Sequence, residues 1–305
     1  MVKQFLLLFV IVCCAFKADA QHTYNLNNTL QLNKYQDSLL ILSEETFAAT
    51  ADFSRLEKNA AFIKKFITTL KITGSFDYGF DSLKRISILK PADNSFRIIT
   101  WFIPLNDGTY RYYGTIQMAT NDGTLKLFPL NDATNAITDP DALTTNKNWL
   151  GARYYEIVPM VVSGKQPYYI LLGWKGNTSK TSKKVIEVLS FDKNEPTFGR
   201  NIFESEKNKP LKNRVIFEYS KQNAMTLIWD KKVNMIVFDH LVPYEPNMTG
   251  NFEFYGSDLT FDAYKIAWGK LSITENVALK NEATLNEDQY RAPKKASEVI
   301  IHPNN

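Results

Sequence analysis

The sequence predicts an α+β protein in which antiparallel β-sheet predominates and a pair of helices comes first. Apolar residues recur at helical spacing between residues 32 and 70. After Gly74 the chain changes to short runs rich in Ile, Val, Tyr, Phe and Trp, separated by Gly, Asn, Asp and Pro. This alternation is typical of antiparallel strands. About a dozen such runs favour a sandwich or an open barrel, with a propeller-like arrangement as the alternative.

The first twenty residues, MVKQFLLLFVIVCCAFKADA, have the three parts of a secretory signal peptide. Lys3 precedes an apolar run from Phe5 to Phe16, and Ala18 and Ala20 occupy the two positions that a signal peptidase reads. This apolar run is too short to span a membrane, which takes about 20 residues. We therefore expect cleavage after Ala20 and an exported mature chain, periplasmic or secreted, without a transmembrane segment.

The composition excludes several classes of function. Both cysteines, Cys13 and Cys14, lie in the predicted signal, so the mature chain has no thiol for a disulfide, a metal or nucleophilic catalysis. Without the signal, 34 basic residues face 31 acidic residues, a net charge of +3. Nucleic-acid-binding proteins concentrate basic charge on one face, so this balance does not favour a nucleic-acid partner.

Two amphipathic helices are predicted in the N-terminal helical segment, residues 21–75. One covers Leu32 to Phe47 and the other covers Phe53 to Leu70. In the second helix the apolar positions are Phe53, Leu56, Ala60, Ile63, Ile67 and Leu70. We expect these apolar faces to pack into a core rather than to form a groove for a partner.

The segment 76–285 is predicted to be one antiparallel β domain, followed by a polar tail at residues 286–305. Its clearest part is FRIITWFIPL, YRYYGTIQMAT and LKLFPL, three runs separated by two NDGT sequences. The Asp107-Gly108 and Asp122-Gly123 pairs favour type I′ turns, so a three-stranded meander is expected. Further strand-like runs lie at 154–162, 168–174, 184–191, 214–219, 225–229, 234–239, 251–255 and 259–267. The long polar loop at 131–148 is a candidate lid or boundary.

The stretch YYILLGWKGNTSKTSKKVIEVLSF, residues 168–191, resembles a phosphate-binding loop only in part. A P-loop has a glycine directly before Lys-Ser or Lys-Thr, but here Ser179 precedes Lys180. The run from Val185 to Phe191 also favours a strand, whereas a P-loop opens a helix. We interpret the stretch as a β-hairpin with a polar tip from Lys175 to Lys183, and we expect no cofactor.

Histidine is nearly absent from the body of the chain, where His240 is the single representative. One histidine and no cysteine argue against a zinc site, so no metal is expected. Asp239 and His240 are adjacent in a predicted strand and face opposite sides, so they cannot pair unless the strand bulges. We interpret His240 as a hydrogen-bonded structural residue, with a catalytic base as the alternative.

Carboxylates are the remaining catalytic candidates, namely Glu253, Asp258 and Asp262 in NFEFYGSDLTFDAYKI. A glycosidase needs two carboxyl groups about 5 to 9.5 Å apart across the sugar. Asp258 follows Gly256 and is equally typical of a turn. Catalysis by Asp258 and Asp262 is therefore the alternative hypothesis, and the turn is the preferred interpretation.

Aromatic residues make up 13% of the chain, and two of the five tryptophans lie in predicted loops or hairpin tips. Trp149 belongs to the long loop and Trp174 precedes the tip of the 168–191 hairpin. Exposed rings can stack on sugars. Trp149 and Trp174 are therefore expected to be exposed, and they are the candidate ligand-binding residues.

The signal, the helical start, the 168–191 stretch and VFDHLVPYEPNMTGNFEFYGSDLTFDAYKI together resemble a group of exported proteins of Gram-negative bacteria. The resemblance runs over most of the mature chain and implies export, but it supplies no catalytic residue to transfer. We expect a non-catalytic ligand-binding or interaction protein of the cell envelope, whose partner is an envelope glycan or a protein. A carboxylate-dependent glycan hydrolase is the alternative.

Overall fold

The computed structural model describes residues 26–160, 167–205, 210–267 and 269–278, and it confirms an α+β fold dominated by antiparallel sheet. The described residues hold two helices followed by fourteen strands in three sheets. These sheets are open, and none closes into a barrel within the described ranges. The predicted signal, residues 1–20, and the predicted tail, residues 286–305, lie outside those ranges.

The two predicted helices are confirmed. Helix α1 is described over residues 26–48, and α2 spans Asp52–Leu70. Their apolar faces pack against the first sheet, where Phe62 of α2 contacts Trp101 edge to face at a centroid distance of 5.5 Å. The buried Asn59 is satisfied because Trp101 Nε1 donates to its Oδ1 at 2.8 Å. Helix α2 ends at Leu70, and Gly74, whose φ of +85° suits glycine, leads into the 3-10 helix Ser75–Asp77.

The first sheet confirms the predicted meander. Its strands are β1 (Ser87–Leu89), β2 (Phe96–Pro104), β3 (Tyr110–Met118) and β4 (Leu127–Asn131), in that spatial order. All neighbouring pairs are antiparallel.

The turns of this meander differ from the expected type I′. Type I′ needs positive φ at both central residues, but Asp107 lacks it and only Gly108 has it, at +85°. Asp107 instead accepts two bonds through Oδ1, from the backbone nitrogen and the hydroxyl of Thr109, at 2.8 and 2.6 Å. Asp122 and Thr124 repeat the arrangement. The aspartates fix these turns through side-chain bonds to the backbone two residues on.

The second sheet contains the 168–191 hairpin, as expected, but the tip is shorter than the predicted Lys175 to Lys183, because β7 continues to Gly176 and β8 begins at Thr181. Its strands are β5 (Thr144–Thr145), β6 (Arg153–Met160), β7 (Tyr168–Gly176), β8 (Thr181–Asp192), β9 (Glu195–Phe198) and β10 (Val215–Ser220). The spatial order is β5-β9-β8-β7-β6, and β10 pairs with the first half of β8. The long loop at 131–148 thus contains one short strand of this sheet.

The third sheet is formed by β11 (Leu227–Asp230), β12 (Met235–Pro243), β13 (Tyr255–Ala267) and β14 (Lys270–Thr274), in that order. The strand expected at 251–255 is wrong over most of its length, because Phe252–Phe254 form a 3-10 turn that leads into β13. Pro246–Met248 form another such turn just before it.

The three sheets and the helices lie in layers. One cluster of buried side chains joins the helices to the first sheet, a second joins the first and second sheets, and a third joins the second and third sheets. Strand β7 is buried on both faces, because Ile170 packs toward the third sheet and Leu171 toward the first. This explains why its sequence is continuously apolar rather than alternating. Within the described ranges, no helix combines the length and apolarity needed to cross a bilayer.

Candidate functional site

His240 has a carboxylate partner, and that partner is Asp262 rather than Asp239. The register of β12 against β13 shifts between Asp239 and Leu241, where His240 alone on β12 faces the three residues 258–260 of β13. Asp239 points away and accepts a bond from the backbone nitrogen of Thr226 at 2.7 Å. The Nδ1 atom of His240 lies 2.7 Å from Oδ2 of Asp262 on β13.

This histidine–aspartate pair is oriented and partly open to solvent. Asp262 is buried, and its second oxygen accepts a bond from the backbone nitrogen of Asn276 at 3.1 Å. The bond to Asp262 raises the pKa of His240 above its ordinary value. The His240 side chain is 44% exposed. No hydroxyl among the described residues makes a hydrogen bond to it, so a histidine–carboxylate base is present without a bound nucleophile.

The carboxylates proposed as one catalytic set have different partners. Asp258 accepts two bonds from Thr260, at 2.9 Å from the backbone nitrogen and 2.7 Å from the hydroxyl. The hydroxyl bond lowers the pKa of Asp258. This is the same turn chemistry as in the NDGT turns, and it agrees with the turn interpretation of Asp258.

The expected exposure of Trp149 is wrong. Its side chain is fully buried, and its Nε1 donates to the hydroxyl of Tyr154 at 2.9 Å. The chain turns inward there because the Trp149 backbone nitrogen donates to Asn131 O at 2.9 Å. Trp174 is half-buried, and its ring packs against those of Phe102 and Tyr110.

The third carboxylate of the set, Glu253, lies in a surface groove that we call the β10 groove. It consists of two adjoining clefts of about 440 and 530 Å³. Strand β10 lines both clefts with alternate residues, Ile216 and Glu218 in the first and Ser220 in the second. The 3-10 turn Phe252–Phe254 also contributes to both, with Phe252 in the first cleft and Glu253 and Phe254 in the second.

Each cleft contains a lysine–glutamate ion pair. Lys183 on β8 lies 3.1 Å from Glu218, its direct cross-strand neighbour on β10. In the second cleft, Lys180 at the hairpin tip lies 2.7 Å from Glu253. The bond from Lys180 lowers the pKa of Glu253, so this carboxylate is ionised at neutral pH. Each pair presents a donor and an acceptor side by side.

Aromatic rings are exposed along the same groove. Phe252 at the first cleft is 39% exposed, and Tyr244 at the second is 57% exposed. Tyr244 is held in place because its hydroxyl accepts a bond from Asn223 Nδ2 at 2.5 Å. Ring faces beside charged donors and acceptors can hold a ligand that has both apolar faces and hydroxyl groups.

The floor of the first cleft is fixed by a buried arginine. Arg214 Nη1 donates to the carbonyl oxygens of Pro140 and Ala142, both at 2.7 Å, and its Nε donates to the buried Glu187 at 2.8 Å. Asp141 accepts a bond from the Asn213 backbone nitrogen at 2.8 Å. The middle of the long loop is therefore tied to β10, which does not fit the expectation of a free lid.

Sequence reasoning missed most residues of this groove. Lys183 and Glu218 are 35 positions apart, and they pair only because β10 lies against the first half of β8. The strand pairing itself had no local signal.

No protein-family model, no curated protein and no solved structure matches this chain.

Proposed function

We propose that the chain is an exported, non-catalytic binding protein whose β10 groove takes an extended glycan of the cell envelope. The observation that carries the proposal is the pairing of exposed rings with lysine–glutamate pairs in both clefts of one groove. Sugar rings have apolar faces that pack on aromatic side chains, and their hydroxyl groups both donate and accept hydrogen bonds. The groove offers all three kinds of contact.

The shape of the groove supports an extended ligand. Both clefts lie along β10, whose six residues extend over about 20 Å. This length accommodates several sugar units rather than one. The floor is formed in advance by Arg214 and the loop that it holds, so little ordering is needed when the ligand binds.

The electrostatics of the groove favour binding over hydrolysis. A glycosidase needs one carboxylic acid that keeps its proton near neutral pH, and such acids have raised pKa values. Lys180 instead lowers the pKa of Glu253, and Lys183 sits beside Glu218. Glu253 is therefore suited to accept hydrogen bonds from sugar hydroxyls, not to protonate a leaving group.

The test is direct binding to the purified mature protein. Wild-type protein, Phe252→Ala and Tyr244→Ala are titrated calorimetrically with a panel of bacterial envelope polysaccharides and their oligosaccharides. We expect at least one saturable ligand, with affinity reduced about tenfold or more in each variant. Phe53→Ala, which removes an 80% exposed ring at the start of α2, should bind like the wild type. Absence of saturable binding across the panel would refute the proposal.

Export is the second part of the proposal, and it rests on residues 1–20. Ala18 and Ala20 satisfy the cleavage rule, so the mature protein is expected to begin at Gln21. The intact mass of the protein recovered from the periplasm or the culture medium measures this directly. Recovery of the full-length mass from the cytoplasm would contradict export.

Glycan hydrolysis is the alternative function, and the His240–Asp262 pair is the observation that favours it. A histidine oriented by a carboxylate can act as a general base. Reducing-end release from the same polysaccharides would be assayed with the wild type, Asp258→Asn, Asp262→Asn and His240→Gln. Turnover that falls by about 10² or more in folded variants of this set would establish the hydrolase. We expect no turnover above the buffer rate.

A further inference from the structure

We infer that a second pocket, at the junction of the helices with the first and second sheets, binds a small organic oxyanion. Its volume is about 230 Å³, and we call it the basic pocket. Its lining comprises Phe47, Lys84, Arg85, Phe102 and Arg153. The inference is independent of the β10 groove, with which it shares no residue.

Five residues from four parts of the chain meet at this pocket. Phe47 belongs to the last turn of α1, Lys84 and Arg85 precede β1, Phe102 lies in β2 and Arg153 begins β6. Three of the five side chains are cationic, and no acidic residue is among the described residues that line the pocket. A pocket with this charge attracts an anion.

Arg153 is the residue on which the inference rests most. Its side chain is half-buried, and no hydrogen bond or ion pair to another described residue satisfies its guanidinium group. Burial lowers the pKa of Arg153, since no nearby carboxylate opposes the effect. By contrast, the buried Arg214 has Glu187 as a partner, and Arg55 has Asp52.

A partly buried cation without a countercharge is unfavourable, because it gives up hydration without receiving an ionic partner. A bound oxyanion would supply the missing partner. Guanidinium groups match carboxylate and phosphate oxygens with two parallel hydrogen bonds, which makes Arg153 suited to either. Lys84 adds a third cation at the exposed rim.

The aromatic walls indicate that the ligand has an organic body as well as its charge. The Arg85 guanidinium lies 4.5 Å from the centroid of the Phe47 ring, which holds it at the pocket by a cation–π contact. The Phe102 ring is backed by Trp174 at 4.8 Å and Tyr110 at 5.5 Å. Trp174 therefore stabilises a wall of this pocket.

The volume limits the size of the ligand. Pockets for drug-sized molecules measure about 300–1,000 Å³. The basic pocket, at 230 Å³, is smaller. A single oxyanion group joined to one small planar or apolar body fits this space. A polymer does not.

The experiment uses the full mature chain and four probes measured by isothermal calorimetry. Phenyl phosphate and benzoate carry both an oxyanion and a ring, inorganic phosphate lacks the ring, and phenol lacks the charge. We expect saturable 1:1 binding of phenyl phosphate or benzoate, weakened by added salt. The stronger of these two identifies phosphate or carboxylate as the anion. Phenol binding as tightly as the charged aromatic probes would overturn the inference, and so would the absence of binding by all four.

Variants assign the binding to the pocket. Arg153→Gln should weaken the aromatic anions about tenfold or more, since charge-assisted bonds are lost. Phe102→Leu should weaken the aromatic anions and leave inorganic phosphate unchanged. Arg111→Gln removes an exposed arginine of β3 outside the pocket and should have no effect. If Arg153→Gln does not fold, the double variant Lys84→Gln/Arg85→Gln, at two exposed positions, replaces it and should weaken the same aromatic anions. Unchanged affinity in the folded pocket variants would overturn the inference.

Discussion

The Nδ1 atom of His240 lies 2.7 Å from the Oδ2 atom of Asp262, across two neighbouring strands of the third sheet. Phe238 is the direct cross-strand partner of Asp262, so His240, two residues further along β12, lies on the same face of the sheet as Asp262. Asp262 is held in turn by the backbone nitrogen of Asn276. The histidine therefore faces an oriented carboxylate while its other side remains open to solvent.

The first prediction is that His240 titrates above its ordinary value of 6.5, because the bond to Asp262 favours the protonated ring. A raised folded-state pKa contributes stability that is fully present below pH 6.5 and is lost as the pH rises through the raised value. NMR titration measures it, with the signal assigned by His240→Gln. Asp262→Asn should return the pKa of His240 toward 6.5. A value at or below 6.5 in the wild type would contradict the pair.

Lys175 is buried, although the sequence predicts that it lies at the polar tip of a hairpin. Its Nζ atom donates to Thr134 Oγ1, Leu150 O and Gly151 O, at 2.8, 2.7 and 2.9 Å. The ring of Tyr112 lies beneath it at 4.5 Å. Burial lowers the pKa of Lys175 to about 8. The amine is satisfied by neutral acceptors, but no carboxylate among the described residues forms an ion pair with it.

The second prediction is that the free energy of unfolding rises between pH 7.5 and 9.5. In this window the unfolded chain keeps the proton on Lys175 and the folded chain releases it, so stability increases with pH. The expected gain is about 2 kcal/mol. Urea unfolding at the two pH values measures it. Lys175→Met should abolish the gain, and Lys71→Met, at an exposed position, should retain it.

The rise in the free energy of unfolding with pH ends near pH 10, because buried tyrosines make stability fall as the pH rises further. Burial raises the pKa of Tyr112 and of Tyr154 far above 10, so unfolding exposes phenols that lose protons in alkali. Stability must then fall as the pH rises further. A wild-type protein whose stability is flat from pH 7.5 to 9.5, with the same profile in Lys175→Met, would show that Lys175 keeps an ordinary pKa.

The third prediction concerns Gly114 in the middle of β3. A Cβ atom at this position would lie 2.7 Å from the carbonyl oxygen of Ile99 and 3.0 Å from the side chain of Leu130. Because the first contact is with backbone, Gly114→Ala should destabilise the protein by about 1–3 kcal/mol. Gly74→Ala meets no atom within 4 Å and should cost only its backbone strain, about 1 kcal/mol. Equal stability of Gly114→Ala and the wild type would contradict the packing.

The local features of the fold were predictable from sequence, and the contacts between distant segments were not. The helix at 53–70 and the hairpin at 168–191 follow from periodicity and turn residues within a single window. The short strands β1, β5 and β9 have two to four residues, too few for a period to be seen. Such strands are defined by their neighbours in the sheet.

At the candidate sites, too, contacts between distant residues could not be predicted from the sequence. His240 and Asp262 were both candidates, but their pairing depends on the register of β12 against β13, which has no local sequence signal. Lys175 looked like a tip residue because Gly173 and Gly176 flank it in GWKGN, although both glycines lie in β7. The basic pocket joins residues from Phe47 to Arg153, a combination set by how the sheets stack. The sequence therefore identifies candidate residues, and the fold determines which of them are in contact.

The last prediction tests the ion pair at the centre of the second sheet. Arg214 and Glu187 are both buried, with Arg214 Nη2 2.8 Å from Glu187 Oε1. The hydroxyl of Tyr154 donates to the other oxygen of Glu187, and Trp149 donates to Tyr154. Truncating one partner of a buried pair leaves the other charge without compensation, which costs about 3–5 kcal/mol.

Arg214→Met is therefore expected to lower the free energy of unfolding by about 3–5 kcal/mol in urea denaturation at pH 7. Arg214→Met/Glu187→Gln should recover about 1 kcal/mol or more of this loss, since the buried carboxylate is gone while Tyr154 keeps an acceptor. Lys58→Met removes an exposed pair with Glu45 and should change stability by about 0.5 kcal/mol or less. If Arg214→Met costs no more than Lys58→Met, the pair does not hold the second sheet to the loop that forms the floor of the β10 groove.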